Sequence, residues 1–169
     1  MTNDEVGVAP SPLVQEATRK APVAWVAAGG RPAVALWCVP LEDGLYVVCG
    51  PGEQAAPGLA EGRPATVTLR GDHGGRIVTW PADVARVVPG SEQWDAVAPL
   101  VAAKRLNASD TIAEVVDRWA AECTLYRLTA SGPPLAAGDT LPDDSLAAPP
   151  RPTPAARPTR GRLRGRVGA

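Results

Sequence analysis

The sequence predicts an α+β protein that is mainly β, a mixed barrel of about six antiparallel strands with flanking helices and a disordered C-terminal tail. Three observations predict it. Short apolar runs separated by Gly, Pro and Asp turns fill residues 23–88. Two helical apolar faces follow between residues 91 and 119. From residue 131 the chain turns rich in Pro, Ala and Arg. The expected divisions are a flexible N-terminus (1–10), a barrel domain (11–130) and the tail (131–169).

Each element has its own signal. Ser11 supplies a capping oxygen and Pro12 suits a first helical position, so residues 13–20 read as a short helix. Pro22 and Pro32 bracket residues 23–28, whose Ala-Trp-Val centre and following Gly29-Gly30 predict a strand and a turn. Residues 33–39 and 45–49 are continuous apolar runs joined through Asp43-Gly44, a hairpin signal. Because neither run alternates, both faces of each should be covered. Residues 54–62 allow a weak helix around Leu59, limited by Pro57 and Gly58.

Residues 65–70 alternate, with Val67 and Leu69 on one face and Thr66 and Thr68 on the other. After the turn at 72–75, residues 76–88 return as a long strand. Pro81 lacks a ladder donor and predicts a bulge or an edge there. Ser91 caps a helix that places Trp94, Val97, Ala98 and Val101 on one face. Thr111 and Glu114 match a capping box before Ile112, Val115, Val116 and Trp119. Residues 122–129 read as a closing strand.

Length and charge narrow the function. A chain of 169 residues suits one domain with a real core. Its net charge of −1 hides a division, because six of the seventeen basic residues are arginines in 151–169, where there is no acid. Eleven bases against eighteen acids leave residues 1–150 at about −7. The tail therefore suggests nonspecific polyanion contact, although it lacks the aromatic residues that stack on bases.

Cys38, Cys49 and Cys123 form no C-x-x-C and sit in apolar runs, as reduced core thiols do. Together with the lack of a basic-then-apolar leader and of a long apolar run, they point to a cytoplasmic protein without a membrane span. His73, the lone histidine, lies in a Gly-rich turn with no partner of metal-ligand spacing, so no metal site is expected. No Ser-His-Asp set, Walker loop or close carboxylate pair appears, and no catalytic residue is assigned.

The order strand, turn, strand, Gly-rich loop, short helix, strand, turn, strand over residues 31–88 resembles the split β-barrel of the pyridoxamine 5′-phosphate oxidase-like, FMN-binding proteins. The segments RIVTWPADVARVVPGSEQWD and KRLN are similar to small actinobacterial-type members. The resemblance covers roughly residues 13–130. It implies a homodimer binding FMN or a deazaflavin between subunits, in a family that also holds haem-binding members and members without known activity.

In that family the loop after the third strand holds the flavin phosphate, through a Thr and a Ser-Arg-Lys group, helped by an Arg and a Lys on the preceding strand. Here the Thr place is Cys49 and the Ser-Arg-Lys places fall on Glu53, Gln54 and Ala55. The preceding strand offers Ala33 and Cys38. Glu53 would repel a phosphate. A compensating nest would use backbone N–H groups of Gly50, Gly52 and the start of the short helix, with Gln54 as donor and Arg63 or Arg70 reaching in. Trp37 would then wall the cleft. Two readings stand at this point. One is a flavin- or deazaflavin-associated oxidoreductase with cofactor-binding residues Trp37, Cys49, Gly50, Gly52 and Gln54. The other is a cofactor-free binding module that kept the barrel and lost the phosphate site.

Overall fold

Ser11 opens the described structure as its type predicts, with its Oγ accepting from the Val14 amide at 3.3 Å. The computed structural model describes residues 11–41, 44–71, 76–105 and 109–137. The order is α1 (Pro12–Arg19), β1 (Val23–Ala28), β2 (Val34–Trp37), β3 (Val39–Leu41), β4 (Gly44–Cys49), β5 (Ala65–Arg70) and β6 (Arg76–Val87). Then follow α2 (Glu92–Ala103), α3 (Ile112–Glu122), β7 (Thr124–Ala130) and the two-residue β8 (Ala136–Ala137).

The strands join in the order β2-β1-β5-β6-β7-β4-β3, with β8 paired to β6, and every named pair is antiparallel. The two edges of that path, β2 and β3, are consecutive in the chain. Trp37 ends one edge, Val39 begins the other, and Cys38 is the residue between them. The sheet therefore curls until its edges meet, giving the nearly closed barrel that leaves little unpaired edge. The apolar run 33–39 is thus two strands rather than one. Its first half pairs β1 (Trp37 opposite Val23) and its second pairs β4 (Val39 opposite Tyr46). At the break the Cys38 amide donates to the Pro22 carbonyl at 3.1 Å.

Strand alternation builds two cores from one sheet. Leu45 and Val47 of β4 point into the barrel with Val26, Val67, Leu69, Val78, Trp80 and Leu128. Tyr46 and Val48 of the same strand lie beneath the helices, with Trp94, Val101, Val115, Trp119 and Leu125. Both faces of β4 are covered, as its continuous apolar run predicts. The caps hold as read. Ser91 Oγ accepts from Trp94 N at 3.1 Å, and the Thr111–Glu114 capping box is complete. Ile112, at the first position of α3, is 48% exposed and does not join Val115 and Trp119 in the core.

Three further expectations change. Residues 54–62 form turns, not a helix, with Leu59 N on Ala56 O and Arg63 N on Ala60 O. Pro57 and Gly58 interrupt any longer run of i→i−4 bonds. Pro81 causes neither a bulge nor an edge. It pairs opposite Thr66 of β5, and the register shift comes instead between Leu69 and Arg70. On its other side the ladder with β7 ends at Ala82 opposite Ala130, one residue short of Pro81, and the Pro81 carbonyl accepts from Ser131 N at 2.9 Å. That bond and Leu135 N on Thr79 O, at 2.7 Å, carry the paired chain past residue 130 into β8. The described structure ends at 137, so residues 1–10, His73 and the Arg-rich tail lie outside the described residues.

Candidate functional site

The loop after β4 brings the sequence-selected residues together. Gly50 must be glycine, because a Cβ there would lie 2.9 Å from Cys123 Cα. Its amide donates to Gln54 O at 3.3 Å, and its carbonyl accepts from Glu53 N at 3.0 Å. Cys49 and Gln54 form a one-residue parallel bridge. The Gln54 side chain then clamps the end of β2. Its Nε2 donates to Trp37 O and its Oε1 accepts from Trp37 N, each at 2.7 Å. The amide thus replaces the strand neighbour that β2 lacks beyond β1. Gly52 sits at the tip with φ +74°, and a Cβ there would lie 3.1 Å from Arg118 Nη1.

Glu53 faces inward, its side chain 8% exposed. Oε1 accepts from Arg118 Nη2 at 2.5 Å and from Trp119 Nε1 at 2.9 Å, and Oε2 accepts from Arg105 Nε at 3.3 Å. Burial pushes its pKa up, but the hydrogen bonds from Trp119, Arg118 and Arg105 more than offset that, so the carboxyl is held below its ordinary range. The bond to Glu53 in turn raises the Arg118 pKa. Arg118 Nη1 also donates to Pro51 O at 3.0 Å, and Cys123 Sγ lies 3.6 Å from the same oxygen. The loop is therefore stitched to helix α3 through Arg118 and to the residues after α2 through Arg105, by one carboxylate, one carbonyl and two guanidinium groups.

These cations differ from those the sequence suggests. The Arg63 residue is exposed, and the Arg70 guanidinium lies 4.6 Å from the centre of the Trp25 ring. Arg105, Arg118 and Trp119 are the groups that sequence reasoning missed as polar partners. Trp119 is legible only as a core residue. Nothing local ties residues 105 and 118 to a carboxylate 52 and 65 positions away.

The thiols are built as core. Cys38, Cys49 and Cys123 are all free. Burial pushes Cys38 up to about 12 and, aided by Cys123 and Glu53, Cys49 up to about 11. Cys123 is also raised, first by burial. None has the thiolate character of a nucleophile near neutral pH. Among the described residues no group of three His, Cys, Asp or Glu side chains is placed to hold a metal ion. No helix among them is long and apolar enough to cross a membrane.

No family model and no curated protein matches this sequence. Solved structures do match. The haem storage protein HutZ from Vibrio cholerae is similar at a TM-score of 0.52 and 18% identity, over 72% of this chain and 90% of that one. A protein described as general stress protein 26 from Jannaschia sp. CCS1 gives 0.44 and 15%, over 70% and 71%. The flavocytochrome Anf3 from Azotobacter vinelandii gives 0.37 and 15%, over 87% and 84%. The chain has a split-barrel fold with flanking helices.

Proposed function

We propose that this chain is a binding module on a split barrel that does not take a flavin phosphate at the loop after β4. The observation that carries this reading is the Glu53 carboxylate held by Arg118, Arg105 and Trp119. A phosphate at the loop needs cations or clustered N–H donors. Both guanidinium groups beside the loop already face an internal anion, and the Gln54 amide already holds Trp37. The segment after the loop is a series of turns, so it offers no helix N-terminus for an anion. The residues present do not fit a flavin phosphate there.

Absorbance of the purified chain, followed by titration with FMN, a deazaflavin and haem, tests this. The expected result is no retained flavin band and no saturable change with either flavin up to about 100 μM. A flavin band that stays with the protein, or a micromolar titration, would overturn it. Haem is included because HutZ is a haem storage protein.

A second reading keeps FMN or a deazaflavin. Its support is the aromatic surface on the outer face of β1 and β2, where Trp25 and Trp37 are half-buried beside the exposed Val23. A flavin ring would stack there, beside Cys49, Gly50, Gly52 and Gln54, in a homodimer. The cofactor would supply hydride transfer to a small substrate. In either reading the arginines of 151–166 provide a separate, salt-sensitive contact with polyanions.

A further inference from the structure

A groove of ≈ 910 Å³ runs between α1 and the barrel, on residues other than those of the Gly50–Gln54 loop. Its volume falls in the range of small-molecule sites, roughly 300–1,000 Å³. Val14, Leu41 and Leu128 give it apolar walls, and Thr18, Arg19 and Trp80 add polar groups.

Two of those groups are unusual. Trp80 is 1% exposed, and its indole N–H has no hydrogen-bond partner in the protein. Thr18 Oγ1 is buried and equally unpartnered. Buried polar atoms are almost always paired, and a buried tryptophan N–H normally finds an acceptor. The other such atoms among the described residues are Nε of Arg70 and of Arg127, whose side chains make other contacts. Thr18 and Trp80 both belong to residues lining this groove, with the two unpartnered atoms themselves closed off beneath its surface.

The groups available define the ligand. An indole N–H is a donor without acceptor capacity, and a threonine hydroxyl can also donate. An oxygen with several lone pairs satisfies both. The walls require an apolar body. At the rim Arg19 is 74% exposed and only loosely engaged, 3.8 Å from Glu16, whose other oxygen Lys20 holds at 2.6 Å. A negative charge therefore meets an available cation. Val14 is the buried residue of α1, and because both donor atoms are closed off, a guest reaches them only if this short helix shifts.

We propose that the groove binds a small aryl or alicyclic carboxylic acid, whose carboxylate accepts from Trp80 Nε1 and Thr18 Oγ1. The proposal deepens the binding-module reading and rests on it only in placing the ligand away from the loop. A flavin titration tests that reading and an acid titration tests this site, so the two can fail separately.

The experiment titrates ¹⁵N-labelled full-length protein with naphthalene-2-carboxylate and with its methyl ester, following the indole N–H resonances. The Trp80 resonance is identified by its loss in Trp80→Phe, or by elimination with Trp→Phe exchanges at the other four tryptophans if that variant does not fold. The expected result is a saturable shift of this resonance with the acid. Thr18→Val should weaken binding about tenfold, and Arg19→Gln should narrow the preference for acid over ester. A Trp80 resonance unmoved at low-millimolar acid would overturn the proposal. So would acid and ester binding equally, or Thr18→Val binding as well as the unaltered chain.

Discussion

Two polar regions of this barrel are built on opposite terms. Around the Gly50–Gln54 loop, one carboxylate meets three donors, one side-chain amide meets both backbone groups of Trp37, and an arginine takes up the Pro51 carbonyl. Beside α1, an indole N–H and a hydroxyl are buried with nothing to bond. The first region is complete without a ligand and the second is not. Sites that closed over their own charges become structural, whereas a buried donor left open costs stability that a guest can return.

The sharpest way to break the comparison is Glu53→Ala. It leaves Arg105, Arg118 and the Trp119 N–H without their acceptor, and stability should fall by about 3 kcal/mol in urea unfolding. Added phosphate should recover part of that loss in the variant and little in the unaltered chain, because only the variant offers free cations. An unchanged unfolding midpoint would mean the carboxylate holds nothing together. Acid tests the same carboxylate more gently. Its folded pKa lies below the ordinary range, so its stabilisation is fully present above the unfolded value, about 4.3. That contribution is lost as pH falls through the folded value. The stability gap between the unaltered chain and Glu53→Gln should stay level from about pH 8 to 5 and close below about 4.

How legible these regions were depends on how far their partners lie along the chain. Caps and strand faces are local, and Ser11, Thr111, Val67 and Leu69 behave as their neighbours dictate. The break at Cys38 was hidden because both halves of 33–39 are apolar. Which edge each half joins depends on barrel closure, not on propensity. In sequence Glu53 is an acid that would repel a ligand anion. In the fold it is the anion, and its cations come from α3 and from the residues after α2. No periodicity reports a contact across 65 residues. The groove was hidden for the complementary reason. Trp80 is a core residue of β6, and a missing partner leaves no mark in sequence.

Two tryptophans sharpen the contrast. Trp119 and Trp80 are both buried, at 0% and 1% exposure, and each becomes the same smaller ring in a Trp→Phe exchange. Both variants lose volume. Trp119→Phe also removes a donor from the Glu53 carboxylate, and should cost about 2–3 kcal/mol. Trp80→Phe removes a donor that bonds nothing. The relief should offset most of the cavity, leaving a loss within about 1 kcal/mol. Equal losses in thermal or urea unfolding would mean the Trp80 N–H is satisfied in solution by water.

Thr18→Val carries the smallest effect and isolates the same question without a cavity, since the two side chains have nearly the same shape. Valine is a slightly poorer helix former, which costs a few tenths of a kcal/mol at most. Removing a buried hydroxyl that bonds nothing returns more than that, so the variant should be level with the unaltered chain or up to about 1 kcal/mol more stable. A loss beyond about 1 kcal/mol would instead show that the hydroxyl already has a partner, such as an ordered water. Stability and binding must then move in opposite directions if the groove is a site. The substitution that relieves the empty barrel is the one that weakens its hold on an acid.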